Sequence, residues 1–324
     1  MKKYDVSSIC NALVDFLVEA NDSDVEALKL NKGVMHLVDD AAQQSVMDHF
    51  KDSNKTSELG GSSMNSIRTL AALGANTFFA GMIGKDELGQ RVQARLDDLN
   101  INSTLVENAD FATGTCFVMI TPDGERTMNT NLGASCHYDL SIVNEQAVKD
   151  SKIFHFCGYQ WATDNQKAAI MKAIEVAEEN DGLVSFDVAD PFVVNLNKDE
   201  FADLIAEHAD VVFANQEEAK LLYGLSPDET AKKIMDTGAI AVVKLGAEGA
   251  LVGKGGDLIR IKPVKTEVVD TTGAGDMFAS GFLFGLSQGK SLEECGNIAA
   301  AVASDVISRI GATVSEETIA KFKK

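Results

Sequence analysis

A chain of 324 residues, 45% of them hydrophobic, is long enough for one large α/β domain with a smaller one appended, and it should bury a sizeable core. Its 29 lysines and arginines face 49 aspartates and glutamates, a net charge of −20 that repels nucleic acid and anionic membrane surfaces and argues against either as a partner. Five scattered cysteines (Cys10, Cys116, Cys136, Cys157, Cys295) with no Cys-x-x-Cys pair suit reduced thiols, and the apolar start is broken by Asp5, Asn11, Asp15 and Glu19, so a soluble cytoplasmic protein is expected.

Short β-rich runs alternate with amphipathic helical stretches, which predicts a three-layer α/β/α fold with a mostly parallel sheet. The predicted strands are Tyr4 to Ile9, Thr77 to Met82, Ile153 to Phe156, Leu183 to Asp187, Val211 to Ala214 and Ile240 to Leu245. Helices are predicted over Ser63 to Leu73, Glu87 to Leu99, Asn165 to Glu179, Gln216 to Leu222 and Glu229 to Asp236, with a final one from Leu292 to about Ile310. Two stretches break the rhythm. One follows the first strand, from Asp15 to Leu37; the other is a hairpin, Thr115 to Ile120 and Arg126 to Thr130, around Pro122-Asp123-Gly124-Glu125. Together they predict a discontinuous β lid from 15–37 and 105–135, over a large domain from 1–14, 38–104 and 136–324.

The most informative segment is Asp270-Thr271-Thr272-Gly273-Ala274-Gly275-Asp276, which precedes an apolar helical run. A glycine-rich turn opening a helix leaves backbone N–H groups free at the positive end of the helix dipole, which makes an anion site. An aspartate inside the first turn of such a helix would repel a polyphosphate. The role it suits is accepting the proton of an attacking hydroxyl.

The whole string resembles the signature of the ribokinase/PfkB kinases. Gly60-Gly61-Ser62-Ser63-Met64-Asn65 resembles that family's N-terminal signature, with the glycines as lid hinge and Asn65 on substrate; Asn11-Ala12-Leu13-Val14-Asp15 resembles its substrate-binding start; Asn215-Gln216-Glu217-Glu218 matches its Asn-x-x-Glu motif. Read singly, these are a turn, a loop carboxylate and a helix cap. In order, across residues 11 to 276, they are far more specific. Lys244-Leu245-Gly246-Ala247-Glu248-Gly249 resembles the nucleotide-binding Thr-x-Gly-x-x-Gly, with Lys244 where a threonine is usual and able to reach phosphate. Asn297 falls where relatives border the adenine.

The resemblance implies an ATP-dependent kinase with Asp276 as base and with the Gly273, Ala274 and Gly275 amides stabilising the developing charge. It implies Mg2+ ordered through water by Glu218 with Asn215, and Arg126 swinging from the lid onto the transferring phosphoryl group. Substrate contacts are expected from Asn11, Asp15, Gly60, Gly61, Ser62 and Asn65. The run from Gly114 to Ala134 looks closest to the adenosine kinase branch, so the acceptor is expected to be a nucleoside, or failing that a sugar such as ribose or fructose. Against a nucleoside, Gly33 stands where a base-contacting glutamine is aligned; Met35, Phe111, Phe117 and Phe192 are generic candidates for an apolar wall. A monomer or homodimer is expected. The run Gly285 to Ser291 lacks the first glycine and preceding strand of a phosphate-binding loop, and the five histidines show no metal-ligand spacing.

Overall fold

The computed structural model describes residues 2–140, 143–309 and 311–323, which form two sheets. The larger has nine strands in the order Asp257–Ile261, Ala250–Lys254, Ile240–Lys244, Val211–Asn215, Leu183–Asp187, Ser151–Cys157, Tyr4–Ile9, Thr77–Gly84 and Asn102–Asn108. The last seven of these are mutually parallel, and the first two add an antiparallel hairpin at one edge. Tyr4–Ile9 and Thr77–Gly84 are buried throughout, as expected of strands covered by helices on both faces. One face packs Phe154, Phe156, Phe186 and Phe201; the other packs Ile67, Leu70, Phe79, Phe213 and Phe282.

Tyr4–Ile9 has Thr77–Gly84 on one side and Ser151–Cys157 on the other, so the chain winds away from it in both directions. The crevice beyond the carboxyl ends of strands at such a reversal is where open α/β sheets take ligands. Asn11, Asp187, Asn215 and Lys244 all lie at or just past those ends.

The smaller sheet orders Met35–Leu37, Arg126–Gly133, Thr113–Ile120, Leu13–Glu19 and Lys55–Gly60. Its outer face is apolar: Val18, Phe117 and Met119, with Phe16 stacked on Phe117, pack on Val46 and Phe50 of the helix Asp40–His49. The opposite face differs in character. Asp15 pairs in register with Glu58 and Cys116, and Ile120, four residues on from Cys116, pairs with Arg126. Because side chains alternate along a strand, Asp15, Glu58 and Arg126 share one face.

The predicted strands and internal helices are present, with bounds shifted by no more than three residues at either end. The structure corrects this reading of the fold in three places. Lys55–Gly60, placed in the large domain by its position within 38–104, is an edge strand of the small sheet, and its polar Lys-Thr-Ser-Glu start carries no strand signal. Asn102–Asn108 pairs with Thr77–Gly84, so residues 105–108, expected in the lid, belong to the large sheet. The last long helix ends at Ile307; Ile310, together with Met1 and Lys324, lies outside the described residues.

Candidate active site

Asp270 shapes the turn before the helix Ala274–Ser287. Its carboxylate accepts the N–H groups of Thr272 and Gly311, both at 2.9 Å. Gly273 sits at φ +70°, the left-handed region that costs an L-residue strain, and no side chain caps the helix, so neither Thr271 nor Thr272 plays that part. Ala274 N–H donates to Thr271 O at 3.2 Å and is therefore committed within the turn, contrary to its expected role as an anion donor. Among the described residues, the N–H groups of Gly273, Gly275 and Asp276 have no hydrogen-bond partner, and they form the open donor set at the positive end of the helix.

The Asp276 side chain is held on both oxygens. Ser62 Oγ donates to Oδ1 at 2.6 Å and Asn65 Nδ2 to Oδ2 at 3.0 Å, while Ser66 and Ser280 hydroxyls hold its main-chain carbonyl. Ser62 and Asn65 begin the helix Ser62–Leu73, so two helix N-termini meet at this carboxylate. Burial pushes its pKa up to about 6, against the pull of the Ser62 and Asn65 hydrogen bonds; Asp187 adds to the rise and Lys244 opposes it. A carboxylate poised there is ionised at neutral pH and still basic enough to take a proton. Gly61, at φ +107°, makes the sharp entry into the helix.

Across the cleft, burial and the neighbouring Glu58 and Asp276 carboxylates push Asp15 up to about 7, with Arg68 acting in the other direction. Asp15 occupies space that only Gly60 leaves open: a Cβ on Gly60 would stand 1.9 Å from Asp15 Oδ1. Asn11 is buried, with its Oδ1 accepting from Gln166 Nε2 at 2.7 Å, which anchors the loop carrying Asp15. Arg126 reaches from the small sheet to an ion pair with Asp270, both nearly buried (13% and 4% exposed). The small sheet is thus tied to the glycine turn.

On the other side of the turn, Lys244 Nζ lies 3.0 Å from Asp187 Oδ2 and 3.1 Å from where a Cβ on Gly275 would be. Asn215 and Glu218 form a reciprocal cap: Glu218 accepts from Asn215 N–H (2.7 Å) and Nδ2 (2.6 Å), and Asn215 Oδ1 accepts from the Glu217 and Glu218 amides. Burial pushes Glu218 up to about 7 despite Lys244 nearby. Gly246 and Gly249 both have positive φ in the tight turn after Ile240–Lys244. No three acidic, cysteine or histidine side chains among the described residues form a metal cage. With both Glu218 oxygens already accepting, the arrangement fits only a cation that keeps its own waters, as Mg2+ does.

The profile of the pfkB family carbohydrate kinases matches residues 32–319. The chain belongs to that family. It is 30% identical to an "uncharacterized sugar kinase" of Archaeoglobus fulgidus over 75% of this chain and 96% of that one, and 26% identical to an adenosine kinase of Schizosaccharomyces pombe over 90% and 91%. Among solved structures it is similar to a probable sugar kinase from Rhizobium etli (32% identity, TM-score 0.92, covering 99% and 98%) and to the adenosine kinase from Sinorhizobium meliloti (32%, TM-score 0.90, 98% of each). As a pfkB kinase the protein is a phosphotransferase to a hydroxyl acceptor, and the ribokinase-like fold with its small second sheet is that of these relatives. No helix among the described residues is long and apolar enough to cross a membrane.

Most of the motif residues converge on one crevice, but Asn297 does not. It is exposed and lines a separate cleft with Leu73, Phe284 and Gln288, at the carboxyl ends of the two helices whose amino ends hold Asp276. Phe284 is eight residues beyond Asp276, about 12 Å along the helix. Phe117 lies in the core behind the small sheet and takes no part in a cleft wall. Three participants escaped the sequence reading: Asp187, Gln166 and Tyr159, whose phenol pKa is pushed well up by burial and by the Asp190 and Asp276 charges. Asp187 alone had a usable signal, an acidic residue at the carboxyl end of a buried strand.

Proposed function

We propose that this pfkB kinase transfers the γ-phosphate of ATP to a primary hydroxyl of a nucleoside, with Asp276 as the base. The observation that carries the reading is the Asp276 carboxylate, fixed by Ser62 and Asn65 beside three open N–H groups at a helix amino end. The acceptor hydroxyl sits between Asp15 and Asp276; Asp276 takes its proton as the oxygen attacks, and the Gly273, Gly275 and Asp276 amides stabilise the charge that grows on the transferring group. Arg126, released from Asp270, adds a guanidinium to that charge. Asn215, Gly246 and Gly249 border the nucleotide; Glu218, with Asn215, would hold a Mg2+ through water, and the ion would supply charge to offset the phosphates.

The nucleoside assignment rests on the similarity to the S. meliloti adenosine kinase and on the 44% exposed Phe192 at the head of the helix Pro191–Glu207, which follows the strand ending at Asp187. A sugar acceptor is the second reading. It is favoured by the two sugar kinase relatives and by Gly33, which offers a base no side chain. An assay of ADP formation with adenosine, other nucleosides, ribose and fructose, with Asp276→Asn as control, separates the two. Turnover with free sugars alone would replace the nucleoside reading, and normal turnover by Asp276→Asn would remove the assigned base.

A further inference from the structure

Where a hydroxyl-bearing threonine is usual, this chain carries a buried ammonium, and its surroundings do not balance. Lys244 ends the strand Ile240–Lys244, in register with Asn215, and its side chain passes over Val211–Asn215 to reach Asp187 at the end of the next strand. The ammonium is 14% exposed and Asp187 5%. Burial works against the charge on Lys244, but Asp187 and Glu218 outweigh it and keep the group protonated well into the alkaline range. Three donors on an ammonium meet one carboxylate here, with Nζ to Oδ1 and Oδ2 at 3.3 and 3.0 Å. The remaining donor capacity lies against the bare Cα of Gly275, since a Cβ there would stand 3.1 Å from Nζ. The open N–H of Gly275 belongs to the same spot, so a cation and a free backbone donor adjoin each other at the helix amino end.

We propose that Lys244 is a phosphate clamp, whose ammonium leaves or shares Asp187 to bind the β- and γ-phosphoryl oxygens of the nucleotide alongside the Gly275 amide. The proposal rests on the ATP reading above and adds to it a residue and an exchange. In the free enzyme Asp187 holds the ammonium aimed at the turn; the incoming phosphates compete for it. Gly275 is kept free of a side chain because one would fill the gap between Nζ and the helix. Lys244 also supplies a fixed cation in a chain of net charge −20, where one is needed against a polyanion.

The test compares the affinities of the intact protein for ATP and for AMP, which lacks the β- and γ-phosphates, by titration calorimetry at fixed Mg2+ and again in EDTA. Wild type, Lys244→Met, Asp187→Asn and the double variant are used. The double variant removes both charges together and so leaves no unpaired buried carboxylate to unfold the site. A clamp predicts that the double variant and Lys244→Met weaken ATP by ~10-fold or more while AMP changes less than ~2-fold, and that the loss is larger in EDTA. It also predicts that Asp187→Asn alone tightens ATP, because the competing carboxylate is gone. An unchanged ratio of ATP to AMP affinity in the double variant, with wild type binding ATP, overturns the clamp and leaves the kinase reading standing. Failure of wild type to bind ATP overturns both.

Discussion

Ser62 Oγ stands 2.6 Å from Asp276 Oδ1, a hydrogen bond spanning 214 residues of sequence that ties the first turn of one helix to the first turn of another. The bond lies next to Gly61, where the small-sheet strand Lys55–Gly60 gives way to the helix, and it acts directly on the group assigned as base. Together with Asn65 it opposes the burial that raises Asp276 to about 6. The Asp276 carboxylate is therefore tuned through one hydroxyl at the start of the helix Ser62–Leu73.

Ser62→Ala removes one of two donors to a half-buried carboxylate. The acidic limb of the kcat/KM profile, expected near pH 6 in wild type with activity lost as the pH falls through it, should move upward by roughly 0.5–1 unit. The rate at neutral pH should fall ~10-fold. A pH–rate profile of both proteins from pH 5 to 9 checks this, and an unmoved limb would detach Ser62 from the titration.

Asp276→Asn should lose phosphoryl transfer by ~10²–10⁴-fold while keeping ATP affinity. Its effect on stability should have the opposite sign. A carboxyl whose folded pKa of about 6 exceeds its ordinary value of 3.8 takes up protons on folding between those two values, so its ionisation lowers stability progressively as the pH rises through that window and fully above it. After discounting for its partial exposure, the amide should melt ~2–4 °C above wild type at pH 8 and show no advantage at pH 3.5. Thermal melts at the two pH values decide it.

Arg126→Met strands Asp270, a carboxylate that is 4% exposed and already engaged by the Thr272 amide of the glycine turn and by the Gly311 amide. Loss of a guanidinium near the transferring group should lower kcat by roughly 10²-fold. The unpaired acid should cost ~2 kcal/mol or more, part of which Arg126→Met/Asp270→Asn should recover, because a buried pair removed whole costs less than one left half broken. Denaturant melts and kcat measured on the two variants separate the electrostatic from the structural share.

Gly60→Ala and Gly61→Ala should fail differently. A Cβ on Gly60 would collide with Asp15 Oδ1 at 1.9 Å and displace the carboxylate assigned to the acceptor, so KM for the acceptor should rise ~10-fold or more with KM for ATP nearly unchanged. A Cβ on Gly61 would lie 2.4 Å from Asn11 O at φ +107°, so the whole protein should lose ~2 kcal/mol or more. Steady-state kinetics for the first and melts for the second give the contrast.

Much of the fold was legible because its strands are buried on both faces and read as unbroken apolar runs such as Val211 to Ala214, with helices between them closed by glycines such as Gly74 and Gly224. Lys55–Gly60 was not, because an edge strand with one polar face and a polar start resembles a loop until its partner, Leu13–Glu19, is known. The glycine turn and Asp276 were legible too, as a local string fixes φ at Gly273 and places the acid in the first helical turn.

The sequence by itself determined the central strands of the large sheet and the helices between them, the glycine-rich turn and the acid within it, since each depends on neighbours a few residues away. Only the tertiary structure decided that Ala274 spends its amide inside the turn, that Asn297 faces another cleft, that Arg126 rests on Asp270 and that Lys244 meets Asp187 beside Gly275. Those outcomes are set by sheet order and by charge pairing between residues up to 144 positions apart, and no local pattern encodes which of many carboxylates a buried cation will find.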